Sequence, residues 1–312
     1  MNITLNHTTC IGTIVYKKMI HLVLREDKDV VDLFSEKFPS SLREQLEKWD
    51  LGASNTYCKM FHVGLDEKSM ESVMDESKEI LIKKGLDSSE SIKAWLECFY
   101  PQCDKKIERV EKMNLTQVDM SFIQREFLTN PEWLYVKSLS LRGCFDETLD
   151  NDTYVSDEYR KAMAYIVWRD ACMNYTPLHI DDVGKYKGLL SAEGRDDDER
   201  LMSWCYGELL VQIHAWLTIG GRYSQFEENV EPYYEATKLF YKNMVCCEKS
   251  SSSETQFSAD LDSLDEKEGS LRIGSKAFRV VLENVGYGLN RSFMFVTTNP
   301  IRKTITVWYH ND

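Results

Sequence analysis

The sequence lacks the short motifs that mark the best-known nucleophilic and nucleotide-binding enzymes. It has no G-x-S-x-G, no Walker loop and no dinucleotide fingerprint. Its nine cysteines form no C-x-x-C pair and carry no recognisable protease signature. These absences disfavour hydrolases with a serine or cysteine nucleophile and enzymes that hold a nucleotide on a glycine-rich loop. No catalytic residue and no cofactor is predicted.

Positive charge is also scarce. The chain has 51 acidic residues against 38 basic ones, which gives a net charge of −13. Its clearest basic clusters are the pairs Lys83-Lys84, Lys105-Lys106 and Arg302-Lys303. A field of negative sign opposes binding to a phosphate backbone. Nucleic-acid binding is therefore disfavoured as the main activity, and a nucleic-acid-associated assembly protein is the third hypothesis for function.

No apolar run reaches the roughly 20 residues that a bilayer span requires, so no membrane span is expected. The N-terminal segment is split by Lys17 and Lys18, which argues against a secretory leader. Scattered cysteines without paired spacing favour a reducing compartment. We therefore expect an intracellular protein, located in the cytoplasm or the nucleus.

What the sequence does contain is enough apolar and aromatic material for a large core. Hydrophobic residues make up 43% of the 312 positions, and there are seven Trp and sixteen Tyr. The stretch from Leu201 to Ile219 has one charge, Glu208, and is apolar around its circumference. It therefore predicts a central buried helix. Acidic residues at 196–199 suit the start of this helix and Gly220-Gly221 suits its end.

Two polar side chains within this stretch need an explanation. A buried Glu208 requires a partner, a path to solvent or a raised pKa, and Arg222 or Arg169 is the expected partner. His214 is expected to be a core histidine that hydrogen-bonds a carbonyl, and a functional histidine in a pocket is the alternative. A functional carboxylate at Glu208 likewise remains open.

The pattern of apolar residues predicts an α+β fold, predominantly helical, with a central buried helix, flanking helices and antiparallel strands near both termini. Expected helices begin near Asp27, Ser40, Asp66, Ser88, Ser156 and Glu231. Residues 102–113 have a thin apolar face and are expected to lie on the surface. Expected strands are a hairpin at 11–24, then 57–63, 271–278, 280–285, 293–298 and 304–309.

Shifts in composition divide the chain into four parts. These are a small α+β unit at 1–115, a helical core domain at 116–248, a flexible Ser-rich acidic linker or loop at 249–269 and an antiparallel β region at 270–312. The β region is expected to pack on the rest, where pairing with the N-terminal hairpin would bring both ends of the chain into one sheet.

Two acidic clusters offer the main alternative function. His179, Asp181 and Asp182 lie within four residues, and Asp196, Asp197, Asp198 and Glu199 form a continuous run. Histidine and carboxylate side chains can bind a divalent metal and activate water. A metal-dependent hydrolase or nuclease is therefore the second hypothesis, although a turn and an acidic first helical turn explain the same residues.

The Ser-rich segment carries a pattern typical of acidophilic kinase sites. Ser251 and Ser263 each precede an acidic residue by three positions, Glu254 and Glu266. Phosphorylation would add about −1.5 to −2 charges at each serine. We predict these two serines as modification sites, with an unmodified solvated linker as the alternative.

The first hypothesis is an interaction or regulatory protein that acts by binding other proteins, without catalysis. Tyrosine, tryptophan and phenylalanine often anchor protein interfaces. Tyr223, Phe226, Tyr233 and Tyr234 follow the central helix and are the predicted contact patch for a protein partner.

Overall fold

The computed structural model describes residues 22–24, 30–65, 78–99, 105–124, 163, 166–167, 205–249, 271–283 and 291–311. The strands are β1 (Leu22–Leu24), β2 (Val30–Asp32), β3 (Thr56–Leu65), β4 (Ile107–Met113), β5 (Cys247–Lys249), β6 (Leu271–Ile273), β7 (Lys276–Leu282), β8 (Phe293–Asn299) and β9 (Thr304–His310). The helices are α1 (Leu33–Glu36), α2 (Ser40–Lys48), α3 (Lys78–Leu86), α4 (Ser89–Phe99), α5 (Leu209–Ile219) and α6 (Glu231–Met244).

A seven-stranded antiparallel sheet lies at the centre of the described residues. Strands β1 and β2 both pair with β3, and the order then continues through β9, β8, β7 and β4. Strands β5 and β6 form a separate two-stranded pair. The expectation of a predominantly helical fold is wrong, because strands from both ends of the chain assemble into one large sheet.

Strands β8 and β9 are buried along their whole length. Their sequences, FMFVTTN and TITVWYH, are rich in the β-branched and aromatic residues that favour strands. Side chains alternate between the two faces. Phe295 and Trp308 pack on one face, and Val296 and Val307 pack on the other.

Helices cover both faces of this sheet, which makes three layers. On one face α3 and α4 contribute Leu81, Ile82, Leu86, Ile92, Trp95 and Leu96 to the core. On the other face α1, α2, α5 and α6 pack around Trp308 and Phe240, whose ring centroids are 4.7 Å apart. Thr297 and Thr298 of β8 join the layers, because their hydroxyls donate to the carbonyl oxygens of Met244 and Leu86 respectively.

Strand β4 lies within the segment 102–113, whose thin apolar face predicted a position on the surface. It pairs with β7, and a bulge interrupts the register between Ile107 and Arg109. In a regular strand Ile107 and Val110 would point to opposite faces, but one extra residue restores both to the same face. Both side chains contact the core under α3 and α4. The three-residue spacing therefore comes from a bulged strand.

The segment near residue 30 also differs from its prediction. Residues Val30–Asp32 form β2 and pair with β3, so the helix expected from Asp27 does not begin there. The helix begins after Asp32, whose Oδ1 accepts hydrogen bonds from the backbone N–H groups of Phe34 and Ser35 at 3.0 and 3.4 Å. Pairing with the long strand β3 outweighs the local preference.

The central helix is shorter than its apolar sequence suggests. All eleven residues of α5 are buried, as predicted, and the helix ends at Gly220 with φ 66°. The chain is extended at Glu208, however, with φ −91° and ψ 123°. There Asn114 forms a parallel bridge, in which its N–H donates to Gly207 O at 2.8 Å and its carbonyl accepts from Leu209 N at 3.1 Å.

Several other predictions are confirmed. Helices α2, α4 and α6 begin close to Ser40, Ser88 and Glu231, and strands β3, β8 and β9 lie where alternation placed them. Of the helix expected from Ser156, the described residues Met163, Ile166 and Val167 are helical and buried in the core with α5. Most of the 11–24 hairpin lies outside the described residues.

The two ends of the described chain lie in one sheet and are joined through β3. Strand β9 pairs with β3 from Thr56 to His62, and β1 pairs with the other end of β3, from Val63 to Leu65. The division of the chain into four units stays a prediction. No helix among the described residues is both long enough and apolar enough to cross a membrane.

Because both faces of β8 are buried, its side chains should contribute strongly to the free energy of unfolding. Phe295 is 1% exposed and Phe226 is 45% exposed. Phe295→Ala should lower the free energy of unfolding by about 3 to 5 kcal/mol, because it leaves a cavity. Phe226→Ala, the matched control, should cost less than about 1 kcal/mol. Urea denaturation measures both, and equal losses would contradict the assignment of Phe295 to the core.

Candidate functional site

The most exposed aromatic side chains described lie in the connection between α5 and α6. We call residues 221–227 the aromatic loop. Tyr223 is 77% exposed and Phe226 is 45% exposed. The guanidinium of Arg222 lies 5.8 Å from the centroid of the Tyr223 ring, within the range of a cation–π contact. Large aromatic rings on a protruding loop are typical anchors of protein interfaces.

The backbone of the aromatic loop is fixed on the C-terminal end of α2. Gly221 N donates to Trp49 O at 2.8 Å, and Gln225 N donates to Lys48 O at 2.7 Å. Tyr223 N donates to a carboxylate oxygen of Asp50 at 3.0 Å. These bonds hold the loop at several points, so little conformational entropy remains to be lost on binding.

Glycine is required where α5 turns into the loop. Gly220 has φ 66°, and a Cβ there would lie 2.4 Å from the Ser224 hydroxyl oxygen and 2.7 Å from Trp49 O. A Cβ on Gly221 would lie 2.3 Å from Asp50 O. The Arg291 guanidinium also donates to Gly221 O. The two glycines therefore allow the close approach of the loop to α2.

The contact patch predicted from the sequence is only partly at the surface. Tyr223 and Phe226 are exposed, and Tyr234 is half-buried. Tyr233 is fully buried, stacks against Trp49 with centroids 4.5 Å apart, and its hydroxyl accepts from Glu227 N at 2.8 Å. The expectation that Tyr233 is exposed is wrong, because its position on α6 faces the core. Partner binding by the other three stays a prediction.

A second surface feature is a groove of about 630 Å³ along α6. We call it the basic groove. It is lined by residues 118–121 and 124, by Tyr234, Lys238, Tyr241 and Lys242 of α6, by residues 245–247 and by Arg302. The α6 residues recur at helical spacing on one side of the helix. Met120, Tyr241 and Val245 are buried and supply an apolar floor.

The charge of the basic groove differs from that of the whole chain. Among the residues that the structure describes, its lining has three cationic side chains, Lys238, Lys242 and Arg302, and one carboxylate, Asp119. Lys238 lies 3.3 Å from Glu235. Among the described residues, neither Lys242 nor Arg302 forms an ion pair. Asp119 accepts a hydrogen bond from Ser121 N at 2.9 Å, and the Ser121 bonds hold its carboxyl pKa below the ordinary value.

The groove residues are not arranged for acid–base or nucleophilic chemistry. Burial raises the pKa of the Tyr241 hydroxyl, which donates to Gln117 O. Burial also raises the pKa of the Cys247 thiol, and the adjacent Cys246 adds to this, so the reactive thiolate is disfavoured. Within the described part of the chain, no group of three or more His, Cys, Asp or Glu side chains could hold a metal.

Glu208 binds the segment that follows β4. Its carboxylate accepts from Thr116 N at 3.2 Å and from the Thr116 hydroxyl at 3.0 Å. Arg222, one of the two expected partners, forms no ion pair with Glu208, because the break in the helix turns Glu208 toward residues 114–117. Arg169, the other expected partner, lies outside the described residues. Burial raises the pKa of the Glu208 carboxyl, and the hydrogen bonds from Thr116 and Gln117 act in the opposite direction.

His214 is a core residue. Its Nδ1 lies 3.0 Å from the Thr237 hydroxyl, which itself donates to Tyr233 O at 2.6 Å. Because that hydroxyl has one proton, His214 Nδ1 must carry the proton of their shared bond. Burial lowers the pKa of His214 to about 3, so the ring is neutral. The described partner of Nδ1 is therefore a hydroxyl.

The remaining candidate residues lie outside the described part of the chain. These are the predicted metal ligands His179, Asp181, Asp182, Asp196, Asp197, Asp198 and Glu199, and the predicted phosphorylation sites Ser251 and Ser263. The metal-dependent alternative and the phosphorylation sites stay predictions.

The fold and these surfaces define a class: a three-layer protein with an antiparallel central sheet, an anchored aromatic loop and a basic groove. Residues 203–310 match the family model described as Cilia- and flagella-associated protein 300. A protein of that name from Chlamydomonas reinhardtii is 26% identical over 111 residues. The aligned segment is 33% of this chain and 37% of the relative. No solved structure matches.

The basic groove was missed in the sequence because its residues come from three distant segments. Arg302 was visible only as half of a basic pair, and Lys238 and Lys242 lie on a helix with mixed charges. The sequence signal for the groove was the spacing of Tyr234, Lys238 and Tyr241, which recur at intervals of four and three residues and so share one face of a helix. This spacing predicts one helix face of the groove, but it does not predict that Arg302, in the turn between β8 and β9, completes the groove.

The tight approach at Gly220 generates a prediction. Gly220→Ala should lower the free energy of unfolding by about 2 kcal/mol, since alanine disfavours a positive φ. Gly207→Ala is the matched control, because the nearest atom to its Cβ would be the Asn114 side-chain amide at 3.0 Å. That variant should change the unfolding free energy by less than about 1 kcal/mol. Similar losses in urea denaturation would contradict a special requirement at Gly220.

The buried carboxyl of Glu208 generates a pH prediction. Because its pKa is raised in the folded chain, the folded state holds this proton to higher pH than the unfolded state, and stability falls as pH rises through that window. Glu208→Gln does not titrate. Its unfolding free energy, minus that of the natural chain, should therefore increase from about pH 4 to about pH 7.

Urea denaturation at several pH values measures this difference. Glu228→Gln, an exposed position on the aromatic loop side of α6, serves as the control and should parallel the natural chain. If the difference in unfolding free energy between Glu208→Gln and the natural chain does not change with pH, the raised pKa of Glu208 is contradicted.

Proposed function

We propose that this protein is associated with cilia or flagella and acts there by binding other proteins, without catalysis. The observation that carries the proposal is the match of residues 203–310 to Cilia- and flagella-associated protein 300. That segment contains α5, the aromatic loop, α6 and the C-terminal strands. The part of the chain that resembles the family therefore includes the exposed surface most suited to a protein partner.

The aromatic loop supports the binding role on physical grounds. Tyr223 and Phe226 offer large apolar contact area, and their backbone is already fixed by hydrogen bonds to Trp49 and Asp50. Rigid aromatic anchors on an ordered loop bind with a low entropic penalty. We assign Tyr223 and Phe226 as the main contacts and half-buried Tyr234 as a neighbouring one.

The regulatory part of the hypothesis rests on the acidic Ser-rich segment. Phosphorylation of Ser251 and Ser263 would add negative charge between β5 and β6 and change which partners the chain attracts. Association with a cilium or flagellum replaces the broader expectation of a cytoplasmic or nuclear protein, and the nuclear alternative receives no support from the comparisons.

The proposal is tested in ciliated cells that express the full chain with a fluorescent tag and a proximity-labelling enzyme. We expect the tagged chain to be enriched in the cilium or at its base, with a reproducible set of labelled neighbours. Tyr223→Ser combined with Phe226→Ser should reduce labelling of those neighbours about tenfold, because aromatic anchors dominate binding energy.

The matched control is Leu271→Ser combined with Ile301→Ser. Both residues are exposed apolar side chains that lie outside the aromatic loop. This pair should leave the labelled set unchanged. A tagged chain with no enrichment at cilia would contradict the association, and equal labelling by the loop variant and the natural chain would remove the loop from the proposal.

A further inference from the structure

The basic groove presents an unusual local charge. The chain as a whole has a net charge of −13, and yet the described lining of this surface has Lys238, Lys242 and Arg302 against one carboxylate, Asp119. Glu235, which lies outside the lining, pairs with Lys238. Positive side chains that lie close together in a groove repel one another. Binding of an anionic group reduces this repulsion and is therefore favourable. Lys242 and Arg302 have no ion pair with any described residue, and both are exposed.

The groove also has an apolar component. Met120, Tyr241 and Val245 are buried beneath the charges, and Val118 at the rim is 42% exposed. A volume of about 630 Å³ lies in the range of sites that enclose a ligand of several residues or a drug-sized molecule. A ligand that matches both the basic side chains and the apolar floor has carboxylate or phosphate groups beside apolar groups.

We propose that the basic groove binds an acidic peptide segment of a partner protein, with Lys242 and Arg302 pairing its acidic side chains and the Met120, Tyr241 and Val245 floor receiving its apolar ones. Clusters of basic residues that recognise acidic motifs are a recurring mode of peptide recognition. This site shares Tyr234 with the predicted contact patch, but Lys242 and Arg302 lie outside the aromatic loop. It stands on different observations, so it does not depend on the loop's role.

The same observations favour a peptide over a nucleic acid. A nucleic acid carries a regular array of phosphates and requires a basic surface that extends along its backbone. Here the three basic residues of the described lining lie within one groove on a strongly acidic chain, and the floor of the groove is apolar. A peptide of mixed acidic and apolar residues fits this combination.

The experiment uses the purified full chain and two synthetic libraries of short peptides of about ten residues. In the first library Asp and Glu alternate with fully varied positions, and in the second Asn and Gln replace the acids. The chain should enrich peptides from the acidic library at least about tenfold over the amide library at about 50 mM salt. At about 500 mM salt this preference should fall several-fold through screening.

Charge reversal then locates the binding. Lys242→Glu combined with Arg302→Glu should reduce capture of the enriched acidic peptides about tenfold or more. Lys37→Glu combined with Arg43→Glu makes the same change in net charge at exposed positions outside the groove and should leave capture within about twofold. The aromatic loop pair, Tyr223→Ser with Phe226→Ser, should also retain capture, which separates failure of this site from failure of the loop.

Each contrary outcome overturns the proposal. No acidic preference, a salt-independent preference or equal loss in the groove and control variants would show that the groove does not recognise acidic peptides. Stronger displacement of the peptides by a single-stranded oligonucleotide of matched charge would assign the groove to nucleic acid instead. The salt titration uses the natural chain, so it decides the question even if the reversed variant does not fold.

Discussion

Burial of β8 and β9 on both faces is the constraint on which the rest of the described structure depends. Each residue of these strands contacts protein, so every helix that covers the sheet must present a complementary apolar side. Helices α3 and α4 meet one face, and α5 and α6 meet the other. The aromatic loop leads toward α6, which packs on one face of these strands, and the basic groove is completed by Arg302 in the turn between them.

The junction of Asn114 and Glu208 is the second point that decides the architecture. A continuous helix through 201–219 would leave the end of β4 without the parallel bridge that Gly207 and Leu209 provide. The extended backbone at Glu208 makes this bridge and directs the carboxylate to Thr116. A buried carboxylate is costly unless it is hydrogen-bonded, and the Thr116 contacts supply those bonds at the same place where the chain changes direction.

How much of this could be predicted from the sequence depends on how local each signal is. Helices α2 and α4 and strands β8 and β9 have start residues and apolar patterns within their own lengths, so their positions were predictable. The true nature of β4 was hidden by a bulge that mimics helical spacing, and the interruption at Glu208 follows from a contact 94 positions away. Exposure of Tyr223 could be anticipated, but burial of its near neighbour Tyr233 depends on Trp49. The basic groove needs segments near 120, 240 and 302 together, which no local pattern reveals.

The paired threonines of β8 have a further consequence. Thr297 and Thr298 are adjacent, and their hydroxyls donate hydrogen bonds to the last carbonyls of α6 and α3, which lie on opposite sides of the sheet. Because neighbouring residues of a strand face opposite ways, sliding this strand by one position would put Val296 or Asn299 in the place of one threonine, and that threonine's hydrogen bond to its helix would be lost. The two threonines therefore favour a single register of the strand against the helices on both sides of the sheet.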